Sequence, residues 1–347
     1  MPKETRSPKS ESKTEAIPSD CGLRASFGFR NSSIGSFRRH FRELTVAAAL
    51  VVLLLALAVF APAFYQPQPL LSLLTREAPT LVVACGMALV IISRQIDISV
   101  GSQFAVCSVC AGLLAAMKWP LAFVLPASVL FGAVLGGLNG VLIAGLRLPS
   151  IVVTLATMVS LREGLRWLRQ GRFVNLPDGT QWFGLDQTAG QWTLVAIALV
   201  LLVVLALATR HFAAGRFVYA VGSDAEASRL AGLRPQLTTF CVFIFMGALT
   251  GLAAIMNVVQ SPQVDPKSGT GLELKTIAAV VVGGVAISGG RGNLWGVFTG
   301  LLLLACISPA LTHLHVEPYW EKAIHGAIIL LAVVADGLRS RKERSKP

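Results

Sequence analysis

The chain is short of charge: 14% of its 347 residues are Asp, Glu, Lys or Arg, where soluble domains carry about 25%. Acid is scarcest, with 18 Asp and Glu against 30 Lys and Arg, a formal charge of +12. No G-x-x-x-x-G-K-[ST] occurs, so no phosphate-cradling loop is present and the chain is not expected to bind or hydrolyse ATP. No Ser/His/Asp set or paired carboxylates are legible, and His313, His315 and His325 are read as interfacial, which argues against an enzyme. Of the six cysteines, Cys21, Cys85, Cys107, Cys110, Cys241 and Cys306, five lie in apolar segments. Cys107-x-x-Cys110 has redox or zinc spacing, but without a second Cys or His pair it reads as packing rather than a metal site.

What the chain has is apolar length: 54% hydrophobic residues and a mean hydropathy of +0.67. Thr45–Thr75, Ile98–Met117, Trp119–Leu146, Gln187–Thr209 and Pro235–Val264 are uncharged. Each reaches the roughly 20 residues a helix needs to cross about 30 Å of hydrocarbon. Continuous runs exclude a membrane barrel, whose strands alternate in polarity. The expected fold is an all-α polytopic membrane protein with about ten membrane segments: 45–64, 76–94, 99–117, 120–145, 148–168, 192–210, 236–260, 272–288, 293–312 and 320–338. The second, fifth and eighth contain charge or glycine clusters and are candidates for broken or re-entrant segments. The first run is too long for a secretory signal, whose apolar core is about 7–15 residues, and is expected to remain as a spanning helix. Residues 1–44 are expected to form a disordered basic tail, 45–338 the membrane domain, and 339–347 a second basic tail.

An even number of crossings puts both termini on one side. Arg38, Arg39, Arg42, Arg147, Arg210, Arg216, Arg229, Arg234, Arg339, Arg341, Lys342 and Arg344 all then fall on one face. The positive-inside pattern makes that face cytoplasmic and explains the basic charge without nucleic acid.

Several stretches carry more than hydropathy. In "RFVYAVGSDAEASRLAGLRP", Ser223 is expected to cap a short helix, with Glu226 completing a capping box. Asp224 suits the helix start, Arg229 the last turn after which Leu230 closes the helix, and Gly232 the stop. Such a helix either rests on the bundle or lipid headgroups or docks into a partner. "VVVGGVAISGGRGNLWG" holds Gly283, Gly284, Gly289, Gly290 and Gly292, which permit close approach or a helix break. Its "ISGGR" is similar to a signature of ABC ATPases, a reading rejected for lack of a phosphate loop. Arg162, Arg166 and Arg169 share a helix face and either snorkel to headgroups or rim a pathway, with Glu163 able to pair locally. Glu273 reads as favoured by a helix dipole, and Asn139, among Gly136, Gly137 and Gly140, as seeking an interhelical bond. In "IISRQIDISVGS", Arg94 fits the inner face, Asp97 followed by Ser99 can cap the next helix, and Gly101 permits a break.

"GMALVIISRQIDISVGS" resembles the G-M-x-x-V-I-x-x-x-x-I-D-[LI]-S-V-G-S stretch of bacterial permeases in carbohydrate ABC importers of the ribose and xylose type. "LPSIVVTLATM", "GRFVYAVGSDAEASRLAGL", "GTGLELKTIAAVVVGGVAISGGRGN" and "AIILLAVVADG" are similar to the same family in the same order, over about residues 45–338. "GTGLELKTIAA" and "PYWEKAIHGAIILLAVVADG" look most like its autoinducer-2 branch. The sequence departs from the family pattern at Glu163, Arg166, Arg169 and Arg291 and in its long N-terminal tail.

The resemblance implies a type II-like importer permease in the bacterial inner membrane, paired with a second permease subunit and served by a periplasmic substrate-binding protein that delivers a sugar. A cytoplasmic ATPase would hold ATP and Mg, so this chain itself would bind no cofactor. Ser223–Gly232 then becomes an ATPase-coupling helix. Gln95, Asp97, Ser99, Gly101, Ser102, Asn139, Thr154, Thr157, Glu273, Gly283, Gly284, Gly289 and Gly290 become pathway or hinge candidates. The alternatives are an ion-coupled secondary transporter using Asp97 or Glu273, and a structural assembly protein.

Overall fold

The computed structural model describes residues 32–313 together with 317, 320, 322–324, 326–328, 330–331 and 334. The expectations for residues 1–31, for the tail 339–347 and for Cys21, His315 and His325 lie outside the described residues, and the tenth segment lies only partly within them. The chain divides into two units, Met1–His40 and Phe41–Pro347; residues 32–40 of the first are helical, and the site belongs to the second.

The helices are α1 (Ser32–Phe60), α2 (Pro67–Ile92), α3 (Val100–Ala116), α4 (Leu121–Gly140), α5 (Ser150–Arg169), α6 (Gln187–His211), α7 (Ala213–Ser223), α8 (Ala225–Leu230), α9 (Pro235–Val258), α10 (Leu272–Val282), α11 (Leu294–Ala305) and α12 (Ile307–His313). Their starts follow local chemistry. Proline occupies the first position of α2 and α9, where its missing N–H costs nothing. The side chains of Asp186 and Asn293 accept N–H bonds at the starts of α6 and α11. The only strands among the described residues are β1 (Val174–Asn175) and β2 (Gln263–Val264), an antiparallel pair with Val174 opposite Val264.

Among the described residues, Pro67–Ile92, Leu121–Gly145, Gln187–His211, Pro235–Val258 and Leu294–Thr312 are long and apolar enough to cross a membrane. Helix α2 is the centre: 94% of its apolar window is buried, and it packs against α6, α9, α10 and α11. Helices α4 and α9 meet through Gly132-x-x-x-Gly136 and Gly247-x-x-x-Gly251. A methyl on Gly132 or Gly136 would overlap a carbonyl of α9, and one on Gly247 or Gly251 a carbonyl of α4. Small residues at this spacing let membrane helices approach backbone to backbone.

Several boundaries differ from those expected: the first helix starts at Ser32, within the tail expected to be disordered, rather than at residue 45, and the sixth starts at Gln187 rather than 192. The second segment begins at Pro67 rather than residue 76, because Glu77 is not an exposed terminus but a buried group inside α2. The eighth, expected over 272–288, ends at Val282, where the chain turns through Gly283 and Gly284. The ninth is split, α12 following α11 after Cys306.

The eighth segment also starts inside the bundle. The Val264 side chain lies 2.9 Å from where a Gly112 Cβ would stand, and the Gly269 carbonyl 2.5 Å from the equivalent point at Gly101. Eleven residues of helix separate those glycines, about 16 Å. Between Val264 and Gly269 the chain is not extended: it turns at Asp265–Ser268, where Ser268 N–H donates to the Asp265 carbonyl at 3.0 Å, and it lies against α3 at those two points. Helix α3 departs from this level in one direction and α10 in the other, following α2 from Glu77, where Lys275 bonds, to Ile92, where Gly290 bonds. Helix α3, 17 residues long, and the shorter α10, 11 residues long, thus set their N-termini side by side within the bundle.

Candidate functional site

The chain reaches this junction through residues 93–99. Ser93 ends α2 by donating its Oγ–H to the Val90 carbonyl at 2.7 Å, Arg94 turns with φ +65°, and Gln95 donates its N–H to Val90. Residues 95–98 are irregular. Such backbone survives inside a membrane bundle only where protein satisfies it. Here α5 does so: Ile96 N–H donates to Ser150 Oγ at 3.3 Å, and Thr154 Oγ1, whose hydrogen goes chiefly to the Ser150 carbonyl at 2.8 Å, shares it with the Ile96 carbonyl at 3.4 Å.

Asp97, Ser99, Gln103, Asn139 and Thr154 are each at least nine-tenths buried. Asp97 Oδ1 accepts from Ser99 N at 2.9 Å and Ser99 Oγ at 2.5 Å. The Ser99 hydroxyl accepts from Gln103 Nε2 at 2.7 Å and Asn139 Nδ2 at 2.9 Å, which fills its one donor and two acceptor positions. Asn139 Oδ1 accepts from Thr157 Oγ1 at 2.7 Å. One chain of bonds therefore joins the 93–99 segment, α3, α4 and α5. Replacing Asn139 with Leu, similar in shape but unable to bond, is expected to cost about 1–3 kcal/mol. Thermal unfolding in detergent measures this, and an unchanged midpoint would mean that the amide is not needed to hold these helices together.

Next to the cluster, Ser102 Oγ donates to the Met158 carbonyl at 2.9 Å and Arg162 Nη2 lies 3.5 Å from Glu273 Oε1. Glu273 Oε2 is buried without a hydrogen-bond partner and occupies the space a side chain at Gly101 would need. The expected break at Gly101 is absent: α3 is regular from Val100, and the glycine instead admits the carboxylate from α10. Of the three arginines expected on one face, Arg162 turns to Glu273, Arg166 pairs with Glu163 at 2.8 Å, and Arg169 donates to the carbonyls of Arg172 and Phe173.

Sequence reasoning passed over Glu77 and Lys275. Lys275 Nζ lies 2.7 Å from Glu77 Oε1, with the two side chains 20% and 5% exposed. A charge of each sign inside two expected membrane segments was the signal available.

Helix α5 is held lightly. Only Val153, Thr154 and Leu165 are buried along it, while Ile151, Val152, Leu155 and Val159 are exposed. Its links to the bundle are largely the polar ones just described. Gly283, Gly284, Gly289 and Gly290 lie elsewhere, in the turn beyond the far end of α10.

Helix α8 stands apart from this cluster. Its N-cap is Asp224, whose Oδ1 accepts from Glu226 N and Ala227 N at 2.9 and 3.0 Å. Ser223, expected in that role, is the last residue of α7, so the capping box does not form. Glu226 instead pairs with Arg229 at 2.5 Å, and the guanidinium holds its carboxyl below the usual carboxylate range. Leu230 is 79% exposed, and Gly232 turns the chain with φ +86°.

Residues 70–333 match the family described as branched-chain amino acid transport system / permease component. The chain belongs to that family. The permease is 32% identical over 311 residues to the ribose import permease protein RbsC of Escherichia coli (strain K12), covering 87% of this chain and 97% of that one. It is 31% identical over 311 residues to the autoinducer 2 import system permease protein LsrC of Salmonella typhi, covering 89% and 90%. The RbsC of Haemophilus influenzae is 29% identical over 318 residues, covering 90% and 98%. No solved structure matches the permease. The resemblance read from its motifs therefore holds at the level of the family, and its ribose and autoinducer-2 branches match about equally.

Proposed function

We propose that this chain is the translocating subunit of an ATP-driven importer of a sugar or sugar-like solute, set in the bacterial inner membrane with both termini in the cytoplasm. Helix α8 carries the reading. A helix of this length is unstable alone in water, yet α8 is capped, ion-paired and exposed between α7 and α9. A docking partner accounts for it, and an ATPase holding ATP and Mg is the partner that gives an importer its energy. The relatives named for ribose and autoinducer 2 import supply the solute class. A periplasmic binding protein would deliver the solute, and a second permease subunit would complete the pathway.

In this reading α5 is the moving wall. Its polar links to Asn139, Ile96 and Glu273 can be exchanged for others at small net cost, whereas the apolar contacts of α2 and α9 cannot. Two discrete packings of one helix are what alternating access requires.

Reconstituted with its ATPase and binding protein, the permease is expected to take up D-ribose or autoinducer 2 only when ATP is supplied. Uptake that follows an imposed ion gradient without ATP would sink the proposal in favour of a secondary transporter. Replacing Glu226 and Arg229 together with alanine should leave insertion intact and lower ATP-driven uptake about tenfold, as loss of an interface arginine does. Full uptake with normal ATPase co-purification would remove α8 from the docking role.

A further inference from the structure

Beyond α8, the chain forms a three-way backbone junction. The last residues of α7, the turn after α2 and the glycine turn before α11 meet there backbone to backbone at Ile92, Gly222 and Gly290, with the Arg94 side chain laid against Gly289. Gly290 N–H donates to the Ile92 carbonyl at 2.8 Å. A methyl on Gly222 would overlap that same carbonyl, and one on Gly290 would come within 2.7 Å of the Ser223 Cα. Arg94 Nε donates to the Ser288 carbonyl at 2.7 Å, and Tyr219 Oη to the Gly292 carbonyl at 2.9 Å. Protein backbone packed this closely transmits displacement rather than absorbing it.

Two arms of the junction lead to α5 and the third to α8. From Arg94 the chain runs directly into residues 95–99, whose Ile96 and Ser99 are bonded to Ser150, Thr154 and, through Asn139, Thr157. From the glycine turn it runs back through α10 to Glu273 and Arg162. From Ser223 it runs forward into α8. We propose that this junction, with Gly222 as its closest contact, is the relay that carries displacement of α8 to the pathway helix. The proposal rests on α8 being the ATPase-docking helix, and it assigns Gly222, Tyr219 and Arg94 as positioning residues for transport.

The test needs no identified solute. In a chain with its own cysteines replaced, Ser160→Cys on the exposed face of α5 is labelled with a water-soluble maleimide, in the complex with its ATPase, with and without ATP and vanadate. The parent complex should show a nucleotide-dependent change in labelling rate; its absence would overturn the ATP-driven reading as well as the relay. With Gly222→Ala added, the change should disappear while ATP hydrolysis continues. A retained change would overturn the relay alone, as would loss of hydrolysis in step with labelling in an assembled complex, since that marks general disruption. If Gly222→Ala does not assemble, Tyr219→Phe and Arg94→Met decide. Each removes a hydrogen bond without adding bulk, and each should reduce the change about threefold; no reduction in either overturns the proposal.

Discussion

Lys275→Met should destabilise the permease by about 3–5 kcal/mol, the cost of leaving a buried carboxylate without its partner. Glu77 is 4% exposed and its Oε2 bonds to nothing. Its other neighbouring cation, Arg76, lies 3.7 Å away on a side chain 59% exposed. Removing both charges with Glu77→Leu and Lys275→Met should recover most of the loss, since a buried pair returns little net stability over apolar residues of similar size. Denaturation in detergent of the two single variants and the double gives the coupling directly. Equal, additive losses would mean that the pair does not hold α10 against α2.

Gly247→Leu is expected to cost about 3 kcal/mol, the upper range for overpacking a close-packed core. Its new side chain must displace the Gly132 carbonyl and the Gly136 backbone, separating α4 from α9. Gly164→Ala is the internal control: nothing lies within 4 Å of the added methyl, and in a helix alanine should be better by about 0.5–1 kcal/mol. Opposite shifts in thermal unfolding are the expected pattern. A small loss for Gly247→Leu would mean that α4 and α9 can part without consequence.

The apolar helices were legible because long uncharged runs in this chain have few other uses. Asn139 was legible as a bonding residue for the same reason, an amide being conspicuous among aliphatic neighbours. The shortness of α10 was not, since hydropathy reports how apolar a residue is and not where its helix ends, whereas α3 was legible to within a residue at each end. Residues 94–99 and 264–271 look like surface loops in sequence, and only their contacts show that the first is held by α5 and that the second lies against α3. The cap of α8 was misassigned by one residue because Ser223 and Asp224 are both good caps; packing of Ser223 against Gly290 leaves the role to its neighbour. The Glu77–Lys275 pair joins residues 198 apart, a separation over which local pattern is silent.

The near-complete burial of α2 has a consequence for how the permease meets different bilayers. The apolar windows of Leu121–Gly145 and Gln187–His211 are each only 28% buried within this chain, so what a second subunit leaves uncovered of them meets the acyl chains, and helices placed there adjust to hydrocarbon thickness by tilting at a cost of fractions of a kcal/mol per Å. Helix α2 touches little lipid and has no such reason to tilt. Thinner or thicker membranes therefore strain the outer ring first, and the polar junction at the end of α2 is insulated from the lipids that surround it.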